Sequence, residues 1–255
     1  MKTYSGYLID LDGTMYRGEE RIEEASTFVQ QLKDREIPYM FVTNNSSKRP
    51  SQVVEKLRSH DIPATEEQVY TSSMATAAYI KRQKPDATVY AIGEEGLQSA
   101  LSKVGLTFGE EQCDYVVIGM DREITYEKLA KAALLVRKGA TFLSTNGDIA
   151  IPTERGMLPG NGSLTSVITV TTGVSPTFIG KPESTIMELA LDELGMRKEE
   201  TLMVGDNYET DIKAGMNAGL DTLLVHTGVT SREDLIVKEI QPTFTVKNLS
   251  EWVIE

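Results

Sequence analysis

Short apolar runs of β-forming residues recur along the chain, each followed by a stretch with helical periodicity, and this alternation restricts the fold more than any other feature. Tyr7-Leu8-Ile9 reads as a buried strand, and Ile22, Ala25, Phe28, Val29 and Leu32 mark one face of a helix. Tyr39-Met40-Phe41-Val42 reads as the next strand, followed after Lys48 by a helix that turns Val53, Val54 and Leu57 inward. The alternation returns at Phe178-Ile179, Leu202-Met203-Val204 and Leu223-Leu224-Val225. A strand-helix-strand order implies a parallel sheet with helices on its faces, an α/β fold.

The middle of the chain, from about residue 80 to residue 177, carries its own alternation. Strands are expected at Val89 to Ile92, Tyr115 to Ile118 and Thr141 to Leu143, with helical stretches around Leu97 to Val104 and Tyr126 to Val136. That block is long enough to form a separate domain inserted in the first. The expected division is 1–79 and 178–255 for a discontinuous core, with 80–177 as the insertion.

Composition narrows the function. The net charge of −12 arises from 38 acidic against 26 basic residues, and no Lys/Arg run could track a phosphate backbone, so neither nucleic acid nor an anionic membrane is an expected partner. Cys113 is the only cysteine, which excludes an intrachain disulfide and a cysteine metal cluster. The start of the chain reads directly into a strand and no apolar run approaches the roughly 20 residues that span a bilayer. A cytoplasmic location is the expectation.

Chemistry is concentrated where apolar runs end. Leu8-Ile9 leads into Asp10-Leu11-Asp12-Gly13-Thr14, two carboxylates separated by one residue and followed by a glycine that permits a sharp turn. In open α/β sheets, ligands bind beyond the carboxyl ends of the strands. Neighbouring carboxylates repel unless a cation lies beside them, and Mg²⁺, with its preference for oxygen ligands, is the simplest such cation. Phe41-Val42 leads into Thr43-Asn44-Asn45, whose hydroxyl, amides and backbone N–H groups can donate to phosphate oxygens. Phe178-Ile179 leads into Gly180-Lys181-Pro182, where an ammonium could neutralise a phosphate. Leu202-Met203-Val204 leads into Gly205-Asp206, with Asp211 shortly after. Acids, a hydroxyl, amide donors and one cation together suit phosphoryl transfer, in which positioning and charge neutralisation do most of the catalysis.

In this order the four segments resemble the motifs of the haloacid dehalogenase superfamily, and Thr43-Asn44-Asn45-Ser46-Ser47, Gly180-Lys181-Pro182 and Gly205-Asp206-Asn207 together resemble its NagD-type phosphatases, in particular those described as acid sugar phosphatases. The resemblance extends over essentially the whole chain. It implies a Rossmann-like core interrupted by an α/β cap. It also implies that Asp10 attacks phosphorus to form an aspartyl-phosphate, while Asp12 protonates the leaving oxygen and later takes a proton from water. Mg²⁺ would be held by Asp10, the backbone carbonyl of Asp12 and Asp206, with Asp211 and Thr14 behind them. Thr43, Asn44 and Lys181 would hold the phosphoryl oxygens, and Asn146 and Asp148, in a segment resembling the family's cap loops, would touch the substrate. The implied partner is a small phosphorylated metabolite, either a sugar or acid-sugar phosphate or a nucleoside monophosphate, and a homodimer built on the cap surface stands beside a monomer.

A phosphomutase of the same fold and a non-hydrolytic phospho-ligand module are the alternatives. A dehalogenase would have no use for Asp12 or a metal. His60 and His226 lie away from every motif and receive no role.

Overall fold

The computed structural model describes residues 2–254, and they form two compact units. The first comprises the chain up to Thr43, Pro50–Tyr70 and the chain from Lys181 onward; the second comprises Asn44–Arg49 and Thr71–Gly180.

The first unit is built on a six-stranded sheet in the order Phe244–Val246, Asp221–Val225, Thr201–Gly205, Gly6–Ile9, Tyr39–Thr43, Val69–Thr71. Gly6–Ile9 pairs in parallel with Thr201–Gly205 on one side, with Ile9 opposite Val204, and with Tyr39–Thr43 on the other, with Ile9 opposite Phe41. Both central strands are buried along their whole length, which is why they read as continuous apolar runs rather than as alternating ones. The helices Glu23–Asp34 and Pro50–Ser59 bury the faces expected of them: Ala25, Phe28, Val29 and Leu32 on the first, Val53, Val54 and Leu57 on the second. From Gly6–Ile9 the chain first winds outward through Tyr39–Thr43, and its later strands add on the opposite side. The first strand therefore stands at the point where strand order reverses, and its carboxyl end, with that of Thr201–Gly205, is where such a sheet opens a crevice.

The second unit has a five-stranded parallel sheet in the order Thr177–Phe178, Thr141–Ser144, Tyr115–Ile118, Thr88–Ile92, Thr107–Phe108. One face packs Leu97, Leu101 and Ile80 against Val89, Val117 and Leu143, and the other packs Ala132, Val136 and Ile168 against Val116 and Ile118. An antiparallel hairpin joins Ala150–Thr153 to Gly156–Pro159. One strand falls elsewhere than the sequence suggests: Phe178, read there with Ile179 as part of the returning core, lies in the strand Thr177–Phe178, which pairs with Leu143 and Ser144 at the edge of this second sheet. The helix Ser72–Gln83 also belongs to the second unit. Among the described residues, no helix is long and apolar enough to cross a membrane.

Candidate active site

Asp10 is the first residue beyond the strand Gly6–Ile9, and its N–H donates to Val204 O at 2.9 Å, so the parallel ladder continues one step past the strand. The neighbouring strand ends at Gly205 and delivers Asp206 beside it. Adjacent parallel strands thus bring two carboxylates separated by most of the chain to one place. A third comes from a single π-helical turn, Tyr208–Ile212, which carries Asp211 back toward the strand end; Asn207 N–H donates to Asp211 Oδ2 at 3.0 Å. Wide turns of this kind recur at functional sites. Asp10, Asp206 and Asp211 are all buried, and each offers a ligand oxygen within 4.8 Å of the others.

Lys181 lies among them, only 2% exposed. Its Nζ is 2.5 Å from Asp10 Oδ1 and 2.8 Å from Asp211 Oδ1, and it donates to Val42 O at 3.1 Å. Thr14 Oγ1 donates across the pair, 3.4 Å from Asp10 Oδ2 and 3.2 Å from Asp206 Oδ1. Thr43 ends its strand buried on the other side of Gly6–Ile9.

One ammonium cannot balance three buried carboxylates. Desolvation and the neighbouring charge of Asp211 hold the Asp10 carboxyl well above the ordinary range, and the same two causes push Asp206 up to about 6. Burial alone would lower the Lys181 ammonium, but the facing carboxylates of Asp10 and Asp211 outweigh it and push it up. A cluster of oxygen donors with excess negative charge is a fitting cradle for a hard divalent cation.

Asp12 is placed differently. It is exposed and its carboxylate lies outside the converging group; its Oδ1 accepts from Gly18 N at 3.2 Å. Asp211, expected behind the ligands, is one of the three whose oxygens converge. Asn44 falls in the second unit, apart from Thr43 in this division. There its carbonyl accepts from Ser72 Oγ at 2.8 Å and from Asn146 Nδ2 at 2.6 Å, and its amide donates to Asp148 Oδ2 at 3.1 Å. Asn44, Asn146 and Asp148 form one polar group within that unit.

Sequence reasoning passes over a further segment. Val229 N–H donates to Asp206 Oδ2 at 2.6 Å, Thr230 N–H to Asp206 O at 3.2 Å, and Thr227 Oγ1 to Gly13 O at 2.7 Å. This strap holds both the Asp206 carboxylate and the turn after Asp12. It packs so tightly that a Cβ on Gly228 would lie 1.9 Å from Asp206 Oδ2, while one on Gly13, whose φ is +89°, would lie 2.3 Å from the same oxygen. The signal was present: Thr227-Gly228 follows the apolar strand Asp221–Val225, which lies next to Thr201–Gly205 in the sheet.

Comparison with known proteins agrees with this geometry. A family model described as haloacid dehalogenase-like hydrolase matches residues 7–107, and one described as HAD-hydrolase-like matches residues 178–252. The 5'-nucleotidase YutF of Bacillus subtilis (strain 168) is 67% identical over 253 residues, covering 99% of each chain. An acid sugar phosphatase of Staphylococcus epidermidis is 55% identical over 256 residues, 100% of this chain and 99% of that one. Among solved structures, NagD from E. coli K-12 is similar with a TM-score of 0.94 at 31% identity, covering 100% of both chains. The chain belongs to the haloacid dehalogenase-like hydrolases, and the resemblance read from its strand-end motifs is borne out.

Proposed function

We propose that this member of the haloacid dehalogenase-like hydrolases is a Mg²⁺-dependent phosphatase that releases inorganic phosphate from monoesters of small metabolites, with Asp10 as the nucleophile. The observation that carries the reading is the convergence of Asp10, Asp206 and Asp211 around Lys181 at the reversal point of the sheet. The names of the relatives, a 5'-nucleotidase and an acid sugar phosphatase, support nucleoside monophosphates and acid-sugar phosphates as the substrate classes to test.

Asp10 and Asp206 through their side chains, and Asp12 through its backbone carbonyl, would hold Mg²⁺, with the Asp211 carboxylate close behind. When bound, the ion supplies positive charge that keeps Asp10 ionised and offsets the charge of the phosphoryl oxygens. An Asp10 oxygen attacks phosphorus in line as the bond to the leaving oxygen breaks, and Asp12 gives that oxygen its proton. Water then attacks the aspartyl-phosphate, Asp12 takes the proton, and the Asp10–phosphorus bond breaks to release phosphate. Lys181 stabilises the transferring group as charge develops, and Thr14 fixes the Asp10 carboxylate for attack. Thr43 would donate to the phosphoryl oxygens.

Phosphate release from sugar phosphates, nucleoside monophosphates and p-nitrophenyl phosphate, with Mg²⁺ or chelator, tests the proposal on the native chain and on Asp10→Asn. Metal-dependent release that Asp10→Asn abolishes is the expected result. Release that survives Asp10→Asn would remove the nucleophile, and absence of release from every substrate would leave a mutase or a binding module.

A further inference from the structure

The Asp12 carboxylate accepts from the N–H of Gly18, which sits at the turn of the hairpin joining Tyr16–Arg17 to Glu20–Arg21. The hairpin also fixes the backbone beside Asp12: Gly13 N–H donates to Tyr16 O at 2.7 Å, and Asp12 and Tyr16 form an isolated bridge. Where Asp12 can place its proton therefore depends on where the hairpin is held.

The hairpin is held by the end of the Pro50–Ser59 helix. His60 stacks on the Tyr16 ring, with centroids 5.1 Å apart and planes within 20°, and Lys56 Nζ lies 4.5 Å from the same ring's centroid. Arg21, directly opposite Tyr16 across the hairpin, forms an ion pair with Asp61. Consecutive residues thus grip both strands. Asp61 has a φ of +57°, the left-handed conformation that closes the helix, and its carbonyl accepts from Ser26 Oγ at 2.6 Å, which fixes the direction in which His60 projects. His60 is buried, and among the described residues its Nε2 has no hydrogen-bond partner. With its Nε2 unbonded, His60 contributes here through its flat face. Tyr16 is buried and belongs to the hairpin strand bridged to Asp12.

We infer that the His60–Asp61 segment, by stacking on Tyr16 and pairing with Arg21, positions the hairpin that carries Asp12, making His60 and Tyr16 positioning residues for the acid–base step. The inference rests on the proposed role of Asp12. Loosening the grip should affect substrates that need a proton on the leaving oxygen more than those that do not.

The full-length chain with Mg²⁺ provides the test, with kcat/KM measured for p-nitrophenyl phosphate, whose leaving group is stable unprotonated, and for an alkyl phosphate such as a hexose 6-phosphate. For His60→Leu we expect about a 10- to 100-fold loss on the alkyl ester and a change of about threefold or less on the aryl ester, with faster amide exchange at Gly18. His60→Phe, which keeps a stacking face, should restore the native ratio between the two substrates. Asp61→Asn, which keeps the left-handed residue and removes the charge facing Arg21, should shift the ratio in the same direction and serves where His60→Leu does not fold. A folded His60→Leu with equal losses on both substrates, or with none, overturns the inference. Asp12→Asn separates the two levels: if it spares the alkyl ester, the acid assignment itself fails, whereas if it abolishes alkyl turnover while His60→Leu leaves the ratio unchanged, only the positioning inference fails.

Discussion

Gly228→Ala is the perturbation whose consequence follows most directly from distances in the site. Gly228 has a backbone conformation open to any residue, so an added methyl group acts through space alone. That methyl carbon would lie 1.9 Å from Asp206 Oδ2 and 2.8 Å from Gly13 Cα. Ordinary contact begins at 3.4 Å, so strap and carboxylate must separate by about 1.5 Å (3.4 − 1.9). The oxygen that must move is the acceptor of the 2.6 Å hydrogen bond from Val229 N–H. A hydrogen bond to a charged group contributes about 1.5–3 kcal/mol, and at about 1.4 kcal/mol per tenfold its loss corresponds to roughly 10- to 100-fold in Mg²⁺ affinity, the range found when groups supporting metal ligands are removed. Calorimetric titration of the folded variant with Mg²⁺, beside the Mg²⁺ dependence of p-nitrophenyl phosphate hydrolysis, measures this. We expect a weakened metal and partial recovery of turnover at high Mg²⁺. A folded variant that binds Mg²⁺ within about threefold of the native chain and turns over normally would refute the reasoning.

Lys181→Met leaves Asp10 and Asp211 buried without their cation; urea melts should show a loss of about 3–5 kcal/mol in chelator, smaller in Mg²⁺, and the Mg²⁺-dependent phosphatase activity should disappear. Asn161 Nδ2 lies within 3.3 Å of Ile118 O, Ser144 Oγ, Thr145 Oγ1 and Asn146 O, which share its two N–H groups, so Asn161→Ala should destabilise the second unit by about 2–3 kcal/mol and raise amide exchange over residues 144–146. Asp221 accepts from Lys2, Tyr4 and Thr243, and the Lys2 ammonium foremost holds its carboxyl below the ordinary value of 3.8. Because the folded pKa is the lower one, the stabilisation is present above pH 4 or so and is lost as pH falls through the folded value. Asp221→Asn should therefore lower stability by about 0.5–1 kcal/mol at neutral pH and by less in acid, as read from melts between neutral pH and about pH 3.

The parts of this fold that were legible in the sequence are those where burial is complete. Leu8-Ile9, Phe41-Val42 and Leu202 to Val204 are apolar at every position because the side chains on both faces of these central strands are buried. Phe178 lies in an edge strand of the second sheet rather than in the core because a two-residue strand states its partner only through register, and Phe178 opposite Ser144 is not written in composition. Asp10 and Asp206 are legible because each directly follows a strand of one sheet, so the ladder itself brings them together; Lys181 is legible as a cation after an apolar run, although the strand before it, Thr177–Phe178, belongs to the other sheet. The same rule, carried one strand outward, reaches Thr227 and Val229 beyond Asp221–Val225, since parallel neighbours deliver their carboxyl-end loops to one edge. Residue type alone hid that segment: it acts through a hydroxyl and a backbone N–H, and the latter belongs to whatever residue stands there. His60 is harder again, because neither strand end nor titratable pairing marks it. Its partner ring is fixed by where the Pro50–Ser59 helix ends against the Tyr16 hairpin, a tertiary contact between elements whose sequence patterns are independent. A site built on strand ends can thus be read residue by residue, while contacts made where a helix terminus meets a hairpin become visible only once the packing is known.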